Sequence, residues 1–365
     1  MKLLHIAGLA LACTAGAAAA QVPAGYPADY ARVVEAARHE GKVVVYSVLG
    51  NKAAAPLVEG FRALYPGVEI DYDGEGGSNE VVDRYLGELR VGKPSADVMW
   101  SSAMDLQMQL VRDGHAASYA SPEASHLPAW ARWKDQAWGT TFEPIVFVYN
   151  RKLVPESEVP HDHAAFAQLL RTHADRYAGR VTTFDVSKSG VGYMFAAQDA
   201  KNALALPEML AALRSARVRQ ADGTGEMLNK VNAGDYLLGY NIMGAYALTR
   251  SKGPLPQLGV VIPRDYTMVL SRVMFISKDA PHPNAARLWA DYVLSPRGQQ
   301  IIADRIELFT VRDDVPAQHT AASLAREIGS GARPIPIDPA IADTLEPQRQ
   351  REFIARWKGA LAAAE

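Results

Sequence analysis

The stretch Lys42-Val43-Val44-Val45-Tyr46-Ser47, residues 42–47, decides the fold. A short apolar run rich in β-branched residues is typical of a buried parallel strand. Residues 53–65 follow with apolar side chains at helical spacing, and Pro66-Gly67 predicts the end of that helix. Residues 68–72 predict a second strand. A strand, a helix and a strand in this order predict an α/β fold built on a mainly parallel sheet.

The same alternation continues along the chain in two series. The first series ends with a helix capped by Ser78 or Asn79, a strand at 96–100 and a helix at 104–111. In the second series, strands are predicted at 181–184, 236–240 and 258–262, and helices at 192–200, at 225–233 and from about 243. Without the first twenty residues the chain keeps about 345, which exceeds one typical core and predicts two lobes.

Two predicted strands, 145–149 and 269–276, are interpreted as hinge crossings between these lobes. After the second crossing, the helical pattern of 283–295 and a closing helix at 351–363 complete the α/β series. The predicted division assigns residues 21–143 and 270–330 to the first lobe, and residues 144–269 and 331–365 to the second lobe.

The N-terminal segment 1–20 (MKLLHIAGLALACTAGAAAA) has the layout of a secretory signal peptide. Lys2 precedes an apolar run that is too short to span a bilayer, which needs about 20 residues. Ala18-Ala19-Ala20 predicts cleavage before Gln21 and a periplasmic location. Lipid modification at Cys13 is the alternative, although no large aliphatic residue stands three positions before it.

The composition is that of an ordinary soluble globular protein. The chain has 365 residues, of which 48% are hydrophobic and 21% charged, with a net charge of −2. The absence of a basic excess argues against a nucleic-acid or membrane-surface binder. Since Cys13 is the one cysteine, the cleaved chain would lack disulfides, thiolate nucleophiles and cysteine-bound metals.

Three stretches of sequence are similar to one protein family. They are residues 43–47 with 67–70, the SADVMW segment at 95–100, and the segment at 280–299 that contains APHPNAA and LSPRGQ. The chain resembles periplasmic solute-binding proteins of bacterial ABC importers, in the branch of ferric-ion-binding and phosphosugar- or phosphonate-binding proteins. The resemblance implies a type II periplasmic-binding-protein fold, with two α/β lobes, two hinge crossings and the ligand between the lobes. It also implies a monomer that delivers its solute to a membrane permease.

Candidate ligand-binding residues follow the predicted strands, because ligands of open α/β sheets lie beyond the carboxyl ends of the strands. Helix N-termini at that edge suit oxyanions. In the first lobe, the candidates are Ser47, Gly77, Ser78, Asn79, Ser101, Ser102 and Thr141. In the second lobe, they are Ser187, Ser189, Gly190, Tyr193, Tyr240, Asn241 and Tyr246. The alternative for the serines is a capping or turn role, and for Tyr246 a place in the core.

The sequence predicts neither a cofactor nor a metal. Gly244-Ala245 stand where ferric relatives place adjacent tyrosines, and Fe³⁺ without anionic oxygen ligands is held poorly. Ferric-iron transport therefore stays an alternative to the preferred function. The pair His161 and His163 lacks the third ligand of a good metal site.

No catalytic signature is found in the chain, so we expect a binding protein and not an enzyme. A ligand sensor for a membrane receptor is an alternative with the same fold. Serines and glycines outnumber acids in the candidate loops, which favours an anionic or polyhydroxylated solute. A polyamine-like cation is the alternative solute; it would need acidic and aromatic side chains, and the obvious acids are Asp73, Glu75 and Glu143.

Overall fold

The computed structural model describes residues 22–201, 206–317 and 319–362. The strands are β1 (Lys42–Ser47), β2 (Glu69–Asp73), β3 (Val98–Ser101), β4 (Arg132–Trp133), β5 (Ala137–Gly139), β6 (Glu143–Asn150), β7 (Val181–Phe184), β8 (Arg219–Ala221), β9 (Leu238–Met243), β10 (Leu258–Val261), β11 (Thr267–Leu270), β12 (Val273–Ile276) and β13 (Ala332–Pro334). The helices are α1 (Tyr30–Glu40), α2 (Asn51–Leu64), α3 (Ser78–Arg90), α4 (Met104–Arg112), α5 (His163–Thr172), α6 (Ala174–Tyr177), α7 (Gly190–Asp199), α8 (Leu206–Ser215), α9 (Thr224–Ala233), α10 (Gly244–Ser251), α11 (Pro283–Leu294), α12 (Pro296–Asp304), α13 (Ala321–Ile328) and α14 (Pro347–Leu361).

The first sheet is centred on the stretch that opened the sequence analysis. Its strand order is β2-β1-β3-β12-β5-β4. Strand β1 pairs in parallel with both β2 and β3, while β12 returns antiparallel to β3 and β5. Val43 and Val45 are fully buried on one face of β1, and Tyr46 on the other face is 5% exposed, because helices cover both faces of a parallel sheet.

The second sheet has the order β13-β11-β6-β9-β7-β8, with β10 paired to β6. Strands β7, β8 and β9 run parallel, and β6 is antiparallel to β9, β10 and β11. The prediction of an α/β fold with two helix-flanked sheets is confirmed. Both sheets are more mixed than the sequence predicts, because the strands next to each crossing enter their sheets antiparallel to a neighbour.

The two crossings between the sheets lie side by side. The chain leaves the first sheet after β5, enters the second at β6, and returns between β11 and β12. Thr140 N donates to Arg272 O at 3.0 Å, and Arg272 N donates to Thr141 Oγ1 at 2.9 Å. The predicted strand 269–276 is therefore divided between the two sheets, because Ser271 and Arg272 form the connection.

The C-terminal segment contacts both lobes. Strand β13 pairs with β11 in the second sheet, whereas Ile337 N donates to Trp130 O on the side of the first sheet. Helix α14 then packs against α8. The lobe boundaries given above stay a prediction.

Within the described residues, the helices are all too short or too polar to cross a membrane. The predicted signal peptide at 1–20, with Cys13, lies outside the described residues.

Candidate ligand-binding cavity

A cavity of about 580 Å³ lies where helices attached to the two sheets face each other. Its lining residues are Val48, Gly77, Ser78, Asn79, Glu80, Ser102, Lys188, Ser189, Gly190, Val191, Asp222, Thr224, Gly225, Met243, Tyr246 and Arg250. This volume lies within the range typical of small-molecule sites.

Five helices begin at or beside this cavity. Helices α3 and α4 belong to the first lobe, and α7, α9 and α10 to the second lobe. The first N–H groups of a helix have no intrahelical acceptor, and they carry the positive end of the helix dipole. A cavity surrounded by such ends offers hydrogen-bond donors to an anion or to hydroxyl oxygens.

The start of α3 forms the first-lobe side. Gly77 is the N-cap residue, and its N–H donates to Glu80 Oε2 at 2.8 Å. Ser78 is the first helical residue and makes no capping bond. The prediction that Ser78 or Asn79 caps this helix is wrong, because the helix begins one residue earlier and Glu80 satisfies the cap amide.

The start of α7 forms the facing side. Ser189 is the N-cap residue of this helix, and its Oγ accepts from Gly192 N at 3.2 Å. The hydroxyl proton of Ser189 is therefore not used in the capping bond. A Cβ built on Gly190 would lie 3.6 Å from Asn79 Oδ1, so the two helix starts meet across the cavity.

The charged lining residues are two acids and two cations. Lys188 Nζ lies 3.5 Å from Asp222 Oδ1, and both side chains are more than 60% exposed. Arg250 Nη2 donates to the neutral amide of Asn229 at 2.7 Å. The cationic charge of Arg250 thus stands at the cavity wall with an uncharged partner.

A buried ion pair lies behind Tyr246. Arg272 Nε donates to Glu143 Oε1 at 2.9 Å, and these side chains are 1% and 0% exposed. Thr141 Oγ1 donates to the same carboxylate oxygen at 2.8 Å. Burial would lower the pKa of Arg272, but the Glu143 carboxylate and Tyr246 raise it above its usual range. The guanidinium is therefore charged at the crossings.

The structure brings half of the fourteen predicted site residues to the cavity. These residues are Gly77, Ser78, Asn79, Ser102, Ser189, Gly190 and Tyr246. The residues it does not place in the lining are Ser47, Ser101, Thr141, Ser187, Tyr193, Tyr240 and Asn241.

The first-lobe residues outside the lining form hydrogen bonds within turns of the backbone or at the crossings. Ser47 Oγ accepts from Leu49 N at 3.1 Å, and Ser101 Oγ accepts from Ala103 N at 3.2 Å. Both are turn-forming serines of the type that bonds its own backbone two residues on. Thr141 instead joins the two crossings through Glu143.

The second-lobe residues outside the lining bind groups of their own lobe or the C-terminal segment. Ser187 Oγ donates to Asp185 Oδ1 at 2.6 Å, and the Tyr193 hydroxyl donates to Thr344 O. Tyr240 Oη and Asn241 Nδ2 both donate to the buried Asp199 carboxylate. Two hydrogen bonds to one buried carboxylate give Tyr240 and Asn241 a structural role.

The sequence analysis missed the contribution of α9 and most of α10. Thr224 and Gly225 open α9 after β8, a strand of three residues with no apolar run. Arg250 follows Tyr246 by four positions on α10, so both lie on one helix face. That spacing is the signal by which Arg250 could have been found.

The described residues contain no group of three or more His, Cys, Asp or Glu side chains that could hold a metal. His163, one of the two histidines considered, binds Asp265 through Nδ1 at 2.9 Å. It also stacks on Tyr266 with ring centroids 3.9 Å apart. His163 is thus part of the lobe interior.

Two α/β lobes that place helix starts around a shared cavity define a two-lobed binding protein. The family model described as bacterial extracellular solute-binding protein matches residues 43–305. The chain belongs to this family. No curated protein sequence matches it.

Solved structures agree with this assignment. The substrate binding protein of the ABC transporter from Agrobacterium tumefaciens is 34% identical, with a TM-score of 0.81 over 88% of this chain and 94% of that chain. The open conformation of ferric iron-binding protein A from Mannheimia haemolytica is 18% identical, with a TM-score of 0.67 over 88% and 99%. Iron-bound HitA from Pseudomonas aeruginosa is 17% identical, with a TM-score of 0.64 over 87% and 99%. The predicted type II periplasmic-binding-protein fold and the resemblance to this branch are confirmed.

Proposed function

We propose that this protein is the solute-capturing component of an ABC import system. It holds a small anionic or polyhydroxylated solute between its lobes and delivers that solute to a membrane permease. The observation that carries the proposal is the meeting of the α3 and α7 starts across the cavity, with Ser78 on one side and Ser189 on the other. The 34% identity to a protein described as an ABC transporter substrate binding protein supports it.

The proposed mechanism is capture by closure of the two lobes. A ligand favours the closed state only through contacts that the open state lacks, so it must touch both lobes. The side-by-side crossings at Thr140 and Arg272 supply the hinge. Micromolar affinity corresponds to about −8 kcal/mol, which a few hydrogen bonds to a charged group can supply at about 1.5–3 kcal/mol each. The protein works as a periplasmic monomer and returns its solute unchanged.

Native mass spectrometry of the protein as purified tests this proposal. We expect a non-covalent mass addition of one small solute per chain, and the solute released by unfolding is expected to be anionic or rich in hydroxyl groups. Conversion of that solute during incubation, or a polyamine in its place, would contradict the proposal.

Replacement of either cavity serine is predicted to weaken solute binding. Ser78→Ala and Ser189→Ala each remove one hydroxyl donor, so the dissociation constant for an anionic solute should rise about tenfold or more, equivalent to about 1.5–3 kcal/mol. Calorimetry with the solute identified above measures this change.

Thermal melts of the solute-free variants provide the control. Of these two serines, Ser189 caps a helix and Ser78 does not. Ser189→Ala should therefore also lose about 1 kcal/mol of folding stability, whereas Ser78→Ala should not. Unchanged solute affinity in both variants would place the site elsewhere.

Iron is predicted not to be the solute. A Cβ on Gly244 would lie 2.4 Å from Pro144 O, and Ala245 is 1% exposed, so neither position can present a phenolate to the cavity. Tyr246 is the one tyrosine among the lining residues given above. Adding Fe³⁺ with citrate should therefore give no tyrosinate-to-iron charge-transfer band. A visible band that disappears in Tyr246→Phe or Tyr240→Phe would show that iron is bound.

A further inference from the structure

The guanidinium of Arg272 has one edge bound to Glu143 and one nitrogen, Nη1, that lacks a partner among the described residues. Nε and Nη2 donate to the two oxygens of Glu143, at 2.9 Å and 3.3 Å. Nη1 has no hydrogen-bond partner among the described residues, and the Arg272 side chain is 1% exposed. An unpaired N–H of a buried charged group costs more than one of a neutral group, so a partner at Nη1 would be favourable.

Tyr246 connects this guanidinium to the cavity. The guanidinium is a rigid planar fork with Glu143 at its Nε–Nη2 edge, so Nη1 and the second N–H of Nη2 point away from Glu143. Nη2 donates to Tyr246 Oη at 3.5 Å, and the Tyr246 ring centroid lies 5.8 Å from Arg272 Cζ. Because Tyr246 lines the cavity, an acceptor bound to its hydroxyl lies on the side of the guanidinium that Glu143 leaves open.

The groups beside Tyr246 favour an anionic acceptor. The Glu143–Arg272 pair is neutral overall, and Glu143 accepts a further bond from Thr141. The start of α10 at Gly244 and the cation Arg250 stand on the same helix as Tyr246. Helix N-termini and guanidinium forks are both suited to carboxylate and phosphate oxygens.

We infer that the solute places an oxyanion, a carboxylate or phosphate group, against Tyr246 Oη and Nη1 of Arg272. The inference rests on the proposed function, since it names the chemistry of one group of the same solute. This contact would make Arg272 a specificity-determining residue. It would also connect the bound anion to the crossing between β11 and β12, where Arg272 lies. Because Arg272 is 1% exposed and bonded to Tyr246, the contact requires the Tyr246 side chain to move.

The probe for this inference is inorganic phosphate, titrated calorimetrically at constant ionic strength. Wild-type protein should bind phosphate. Tyr246→Phe should weaken phosphate binding about fivefold, the size of one hydrogen bond. The double variant Glu143→Gln/Arg272→Met, which removes both buried charges together, should weaken it about tenfold or more. Tyr236→Phe, which removes a hydroxyl outside the cavity lining, is the matched control and should bind phosphate as the wild type does.

The outcomes separate this inference from the proposed function. If the wild type ignores phosphate, or if both variants bind it unchanged, the oxyanion contact at Arg272 is wrong. The proposed function still stands in that case when native mass spectrometry finds a retained anionic or hydroxylated solute whose affinity falls in Ser78→Ala and Ser189→Ala. If no solute is retained and no phosphate binds, both fail.

Discussion

Arg272→Met is expected to destabilise the protein by about 3–5 kcal/mol, because it leaves the Glu143 carboxylate buried without its counter-charge. The pair is 1% and 0% exposed, and it joins β6 to the return crossing between the sheets. Urea unfolding of the solute-free protein, followed by circular dichroism, measures the loss. A loss of unfolding free energy below 1 kcal/mol would mean that water reaches the Glu143 carboxylate, and would contradict the burial of this ion pair at the crossings.

The double variant Glu143→Gln/Arg272→Met is the control for this result. Removing both partners takes away the uncompensated charge, and replacing a buried pair by neutral groups is often nearly neutral in stability. We expect it to recover most of the loss caused by Arg272→Met. An equal loss in the single and double variants would assign the effect to side-chain packing.

Gly225→Trp is expected to abolish solute capture while leaving the fold intact. Gly225 is an exposed residue in the first turn of α9, and a Cβ built there would lie 3.7 Å from Arg250 Nη1. An indole at this position occupies space that the cavity offers to the solute. Binding should weaken at least a hundredfold, about 2.8 kcal/mol, when measured by calorimetry with the co-purified solute.

Gly359→Trp is the matched control for the steric block. Gly359 is an exposed helical glycine of α14, and a Cβ there would meet no atom within 4 Å. This variant should bind solute like the wild type. Equal affinity in Gly225→Trp and the wild type would show that the solute does not occupy the α9 side of the cavity.

The strands rich in β-branched residues could be predicted from sequence. The stretch 42–47 and the stretch 181–184 form strands with the predicted bounds, because β-branched residues make up half or more of each and favour strands. The stretch 269–276 was predicted as one strand, although Ser271 and Arg272 interrupt its apolar run. The chain changes sheets at this polar pair, so the interruption was the signal by which the division could have been found.

The site could be predicted to within one residue at two of its loops. At the first loop Ser47 was predicted, whereas Val48 lines the cavity; at the second loop both Ser101 and Ser102 were predicted, and Ser102 lines it. In both loops the first serine turns inward to accept a backbone N–H two positions later. A one-residue step decides whether a side chain faces the ligand or the turn, and local spacing does not fix that step.

The crystallographic position of the solute retained by the purified protein tests the central claim most directly. We predict that the solute lies in the cavity between the sheets and contacts Ser78 at the α3 start and Ser189 or Gly190 at the α7 start in the same molecule. A solute bound within one lobe, or on the outer surface, would contradict capture between the two lobes.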